Sequence, residues 1–165
     1  MKITAIALNT FKEAIRDRIL YLLLFFAVVS LIFSRLLAIL AVGDRVKIII
    51  DVGLASLSFF GALMAILMGT SLVFKEIDKK TIYTLLSKPI HRYQFLLGKF
   101  FGLILTLLVM LFLMSLIFIV IVLLHSGRIE WGMFAALAFI FLELCLITAV
   151  AMFFSCISSP ILSSV

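Results

Sequence analysis

The sequence predicts an all-α integral membrane protein: an N-terminal interfacial amphipathic helix and four transmembrane helices, with a cytoplasmic helical hairpin between the second and third. Three observations predict this. Of the 165 residues, 66% are hydrophobic and only 13% charged, a balance outside that of soluble domains. The apolar residues gather into four runs, each able to cross a hydrocarbon core of about 30 Å, which takes roughly 20 residues. Lys and Arg concentrate in two of the segments that flank those runs rather than in all of them, as the positive-inside rule requires of cytoplasmic segments.

Residues 1–18 precede the first run. Ile3, Leu8, Phe11 and Ile15 recur at helical spacing among Lys2, Asn9, Glu13, Arg16 and Asp17, the pattern of a helix lying on a membrane surface. A cleavable signal peptide is disfavoured by the two acids and by the length of the apolar run that follows. The expected spans are residues 19–42, 52–74, 100–124 and 133–157. Lys2, Lys12, Arg16 and Arg18 stand before the first, and Lys75, Lys79, Lys80, Lys88, Arg92 and Lys99 between the second and third, so both segments, and the N-terminus, are expected to be cytoplasmic. The segments around Asp44, Arg45 and Lys47 and around Arg128 and Glu130 face out, with Trp131 suited to the outer interface. Cys145 and Cys156 share one run about 16 Å apart along a helix axis and cannot bond within it.

In the second run Gly61, Ala65 and Gly69 repeat every four residues, with Ser58 and Ala62 close by. Small residues at this interval let two helices approach to backbone contact. The stripe is equally compatible with packing inside one subunit and with a dimer seam. Two charges lie within the runs, Arg35 in the first and Glu143 in the fourth. A charge in a bilayer needs a partner or water, and the depths of these two allow a structural ion pair between the first and fourth spans. The alternative is that Glu143 lines a substrate path.

Residues 75–99 form the longest polar interruption. Asp78 can cap a short helix whose apolar stripe is Ile82, Leu85 and Leu86, opposite Lys79 and Lys80. Pro89 disfavours helical geometry at Lys88. A second helix then carries Tyr93, Leu96, Leu97, Phe100 and Phe101 at three- and four-residue steps into the third run. A short amphipathic helix at the inner membrane face suits a groove on a cytoplasmic partner; an interfacial hairpin that only anchors the chain in lipid has the same pattern.

The identities of these residues carry a resemblance. Glu76, Thr81 and "LLSKPIHRYQFLLGK", with Leu85, Leu86, Ser87, Lys88, Pro89, Arg92, Phe95, Gly98 and Lys99, resemble the cytoplasmic loop of ABC-2 type permeases, the membrane subunits of a class of ATP-driven transporters. The N-terminal "ALNTFKEAIRDRILY" looks like that family's entry segment and "FFSCISSPI" like its fourth-span exit. Within the family the layout is most similar to stand-alone permeases related to the membrane subunit of copper-site maturation systems for nitrous oxide reductase. The resemblance implies a coupling helix over residues 76–87, with Glu76, Thr81, Ile82, Leu85, Leu86, Ser87 and Pro89 at the partner surface. It implies a separate ATP-binding-cassette ATPase that holds ATP and Mg, a second permease copy or relative, export as the direction, and the inner membrane of a prokaryote. Such permeases usually have six spans, so a chain of four is expected to be a truncated or incompletely represented one.

Other function classes find little support. No G-x-x-x-x-G-K-[ST] occurs, and Gly98-Lys99-Phe100 lacks the upstream glycine and the hydroxyl, so the chain is not expected to be an enzyme. His91 and His125 fall on opposite sides of the membrane and cannot share a metal; no metal site is expected. The four aspartates lie outside the runs, which excludes an aspartyl intramembrane protease. The net charge of +6 is spent at membrane boundaries, and no nucleic-acid partner is expected. No run carries the regular polar stripe that wets a pore. The remaining alternative is a non-transporting anchor or scaffold that recruits a soluble partner through the same loop.

Overall fold

A computed structural model describes residues 2–40, 45–78, 92–126 and 131–162. Among them are five helices and no strand: α1 (Lys2–Ile15), α2 (Arg18–Leu40), α3 (Arg45–Asp78), α4 (Arg92–Ser126) and α5 (Trp131–Leu162). Among the described residues three stretches are long and apolar enough to cross a membrane: Val46–Thr70 in α3, Phe95–His125 in α4 and Trp131–Ser155 in α5. The bent pair α1 and α2 adds a fourth when counted as one span.

The bend between α1 and α2 is 63°, and its chemistry is local. The N–H groups of Arg16 and Asp17 bond back to the carbonyls of Glu13 and Ala14 at 3.2 and 3.1 Å, closing the last turn of α1. The Asp17 carboxylate then accepts the Ile19 N–H at 3.1 Å, capping α2 by satisfying one of its orphan donors. One aspartate thus ends the reach of one helix and starts the next.

Two helices exceed the expected spans. α3 has 34 residues and α4 has 35, about 51 and 52 Å at 1.5 Å per residue, against a core of about 30 Å. The expected loop over 43–51 is shortened because α3 already begins at Arg45, with Lys47 and Asp51 exposed on its first turns. At the other end α3 continues through Lys75–Asp78, so Asp78 lies in its last turn; the short helix expected after it falls outside the described residues. The apolar-to-polar transition marks where a helix leaves lipid, not where it ends, since Lys and Glu are good helix formers in water.

α3 is the hub: it packs on α2, α4 and α5. Close approach is made by missing side chains. The Phe118 ring of α4 occupies the space a side chain on Gly53 would need. Leu144 of α5 comes within 2.9 Å of a Cβ placed on Gly61, and the Ala151 methyl within 2.9 Å of one on Gly69. Between α2 and α3 the hydroxyls of Ser30 and Ser56 are hydrogen-bonded at 2.9 Å. The remaining helix pairing of similar extent is α1 on α4. There Gly102 leaves room for the Ala7 carbonyl and Thr10, 2.6 and 2.7 Å from the position of its absent Cβ.

The interior and exterior differ in kind. Every methionine after Met1 is buried: Met64, Met68, Met110, Met114, Met133 and Met152. Phenylalanines mostly face outward, with Phe25, Phe59, Phe112, Phe139, Phe153 and Phe154 more than half exposed, a surface suited to hydrocarbon and not to water. Several buried hydroxyls bond within their own helices, as Thr106 to the Gly102 carbonyl at 2.9 Å and Thr148 to the Leu144 carbonyl at 2.7 Å, which satisfies them without water; the Ser155 hydroxyl is buried without a partner among the described residues.

Overpacking a tight glycine costs about 1–3 kcal/mol. Gly102→Leu is therefore expected to destabilise the chain by that amount in reversible unfolding in mixed micelles. Gly132→Ala, whose added methyl would meet no atom within 4 Å, is expected to change stability by less than about 1 kcal/mol.

Candidate functional site

Two regions hold the residues singled out from the sequence, one at the membrane midplane and one at the loop end of α3 and α4. In the first, the Ser58 hydroxyl donates to both Glu143 carboxylate oxygens, at 3.1 Å to Oε1 and 3.0 Å to Oε2. Ser58 is the central residue of Val46–Thr70 and Glu143 the central residue of Trp131–Ser155, each twelve positions from both ends. The bond therefore lies near the bilayer centre, about 18 Å from either end of these stretches, where an ionisable side chain is most costly.

The stripe that brings these helices together is the small-residue run. Ser58, Gly61, Ala65 and Gly69 fall within about 80° of one another around the α3 axis, and Gly61 and Gly69 abut α5, while Ala65 is fully buried. In this structure the stripe faces another helix of the same chain. Ser56, which bonds Ser30 of α2, points about 160° away from Ser58, so α2 and α5 meet opposite sides of α3. Glu143 remains exposed between Phe139 and Leu146 on the outer surface of α5. The side chain of Arg35 lies outside the described residues; among those described, Ser58 is the hydrogen-bonding partner of Glu143.

In the second region, Glu76 belongs to the last turns of α3, where only the backbone course is described. Thr81, Ile82, Leu85, Leu86, Ser87 and Pro89 lie outside the described residues, as does His91. What frames that segment is described. α3 ends at Asp78 and α4 starts at Arg92, and α1 crosses α4 at Gly102, ten residues or about 15 Å from its start. Lys99, just before this crossing, is buried with its ammonium 5.0 Å from the centre of the Phe95 ring, a cation–π distance. The N-terminal helix thus packs near the end of α4 from which the chain leads back toward α3.

Sequence reasoning missed the face by which α1 docks. Its apolar stripe contained Leu8, which is exposed, whereas Thr10 and Ala14 are buried. The available signal was the placement of small residues Ala7, Thr10 and Ala14 at three- and four-residue steps, the pattern already recognised in α3. No group of His, Cys, Asp and Glu able to hold a metal occurs among the described residues.

Interhelical hydrogen bonds in membranes contribute about 0.6 kcal/mol on average and up to about 1.7. Ser58→Ala is expected to destabilise the α3–α5 contact within that range, read by steric-trap unfolding in bicelles. Glu143→Gln, which keeps an acceptor for the hydroxyl, is expected to lose less than Glu143→Leu does.

Comparison with known proteins now bears on this architecture. The profile of the family described as ABC-2 family transporter protein matches residues 4–165. No curated protein matches the chain. That family supplies membrane components of ABC transporters and not their ATPases. A match over nearly the whole length, on a helical domain with several membrane-crossing stretches, shows that this chain belongs to the ABC-2 transporter family.

Proposed function

We propose that the chain is the permease subunit of an ATP-driven exporter and is driven by a separate cytoplasmic ATPase through residues 76–87. The observation that carries the reading is the family match over residues 4–165, and the helix geometry supports it. α3 and α4 run as long struts to one side of the membrane domain, and the motif-bearing segment joins their ends there. α2, with 23 residues, or about 35 Å, has the length of a span, and on this reading it is the first of four, with α1 at the inner interface. The N-terminus and the loop share the cytoplasmic side, where Lys and Arg are concentrated.

In this mechanism the ATPase binds ATP and Mg and closes around them. Ile82, Leu85 and Leu86 seat in a groove on that subunit, with Glu76, Thr81, Ser87 and Pro89 shaping the helix and its ends. Movement of the groove displaces the adjoining ends of α3 and α4. Because α5 is tied to α3 along the glycine stripe, displacement at the loop passes to the midplane where Glu143 sits. A second permease copy or relative completes the path, and the complex resides in the inner membrane of a prokaryote.

The test is to tag the chain in its native host, extract it in mild detergent and determine the intact masses of all that accompanies it. An ATP-binding-cassette subunit is expected, and its recovery is expected to fall about tenfold or more when Leu85 and Leu86 are changed to Asp, since anchor residues of a docking helix contribute 2 kcal/mol or more. A partner that binds through the loop but hydrolyses ATP at the same rate with and without the permease would favour a scaffold and overturn the transport reading.

A further inference from the structure

The elbow between α1 and α2 opens a polar concavity of about 650 Å³ lined by Asn9, Lys12, Glu13, Arg16, Asp17 and Arg18. Beside it lies a shallow apolar crevice of about 10 Å³ between α2 and α3, lined by Ile19, Leu23, Met64 and Leu67 among others, and Asp17 borders both. The two differ sharply in chemistry and are contiguous. The concavity brings three cations together with two carboxylates, and one of those carboxylates, Asp17, already accepts the Ile19 N–H as the cap of α2. Its balance is cationic. Asn9, Lys12 and Glu13 on α1 and Arg16 just past its end fall at three- and four-residue steps, on the face turned away from Thr10 and Ala14, which dock on α4.

We propose that this elbow binds an anionic phospholipid. The phosphate sits among Lys12, Arg16 and Arg18, with the Asn9 amide as a further donor, and an acyl chain lies against the exposed outer faces of Ile19 and Leu22 on α2. Guanidinium groups suit this because their fork matches two phosphate oxygens. A soluble phosphate would use only the polar half, so the apolar half commits the site to a lipid. The site rests on Arg18 marking the surface end of α2 and is independent of whether residues 76–87 contact an ATPase. A bound lipid would hold the 63° bend by filling the angle between its arms.

The experiment is native mass spectrometry of the full chain released from detergent micelles containing equal amounts of phosphatidylglycerol and phosphatidylcholine. Phosphatidylglycerol is expected to be retained about tenfold over phosphatidylcholine. Arg16→Gln with Arg18→Gln is expected to abolish the preference, and Arg16→Lys with Arg18→Lys to keep most of it. Should the double glutamine variant not fold, Lys12→Gln alone is expected to reduce the preference about fivefold. Glycerophosphate in millimolar excess is expected to leave retention unchanged. Equal retention of the two lipids overturns the proposal, as does a preference that survives removal of the cations. Displacement by glycerophosphate would overturn it in favour of a soluble phosphate site.

Discussion

The rest of this membrane domain depends on how closely other helices approach α3. In lipid no hydrophobic force separates one apolar side chain from another, since acyl chains are as apolar as leucine. What holds helices together is contact quality, and contact is best where one helix presents bare backbone. Gly53 receives the Phe118 ring, Gly61 receives Leu144 and Gly69 receives Ala151, so α3 is engaged from the α4 side and the α5 side by glycines on different faces. The serine pair to α2 completes the set. A helix so held acts as a strut, and its loop-proximal end is continuous with its membrane-embedded part.

The midplane bond between Ser58 and Glu143 gains its meaning from that strut. The small residues position α5 so that a carboxylate at the centre of one span reaches a hydroxyl at the centre of the other. The remaining surface of Glu143 is turned outward among aromatic and aliphatic side chains, where lipid alone would be a poor environment for it. A carboxylate so placed demands something polar beside it, and among the described residues Ser58 supplies it.

Much of the architecture was legible because bilayers impose simple rules. The run lengths and the glycine stripe each report a constraint that acts on sequence directly. Helix ends were less legible, because the same Lys and Glu residues that end a span continue a helix; α3 runs to Asp78 for this reason. The docking face of α1 was not legible from amphipathicity, which marks what avoids water, whereas Thr10 and Ala14 are buried for being small. The burial of Met64, Met110 and Met114 beside outward phenylalanines was not legible from hydrophobicity at all. Packing between helices selects adaptable shape, and lipid accepts large rings readily. The family was legible only through residue identities, since the pattern of residues 75–99 alone fits both a partner groove and an anchor.

The central structural claim is that the glycine stripe of α3 seats α5 of the same chain. The coupling between Gly61 and Leu144, taken from a double-mutant cycle in bicelles, tests it most directly. Gly61→Ala should destabilise the chain alone and do so much less when Leu144 is already Ala, because the methyl would then enter vacated space. Additive effects, with Gly61→Ala altering subunit association instead of chain stability, would contradict the claim and assign the stripe to a seam between copies.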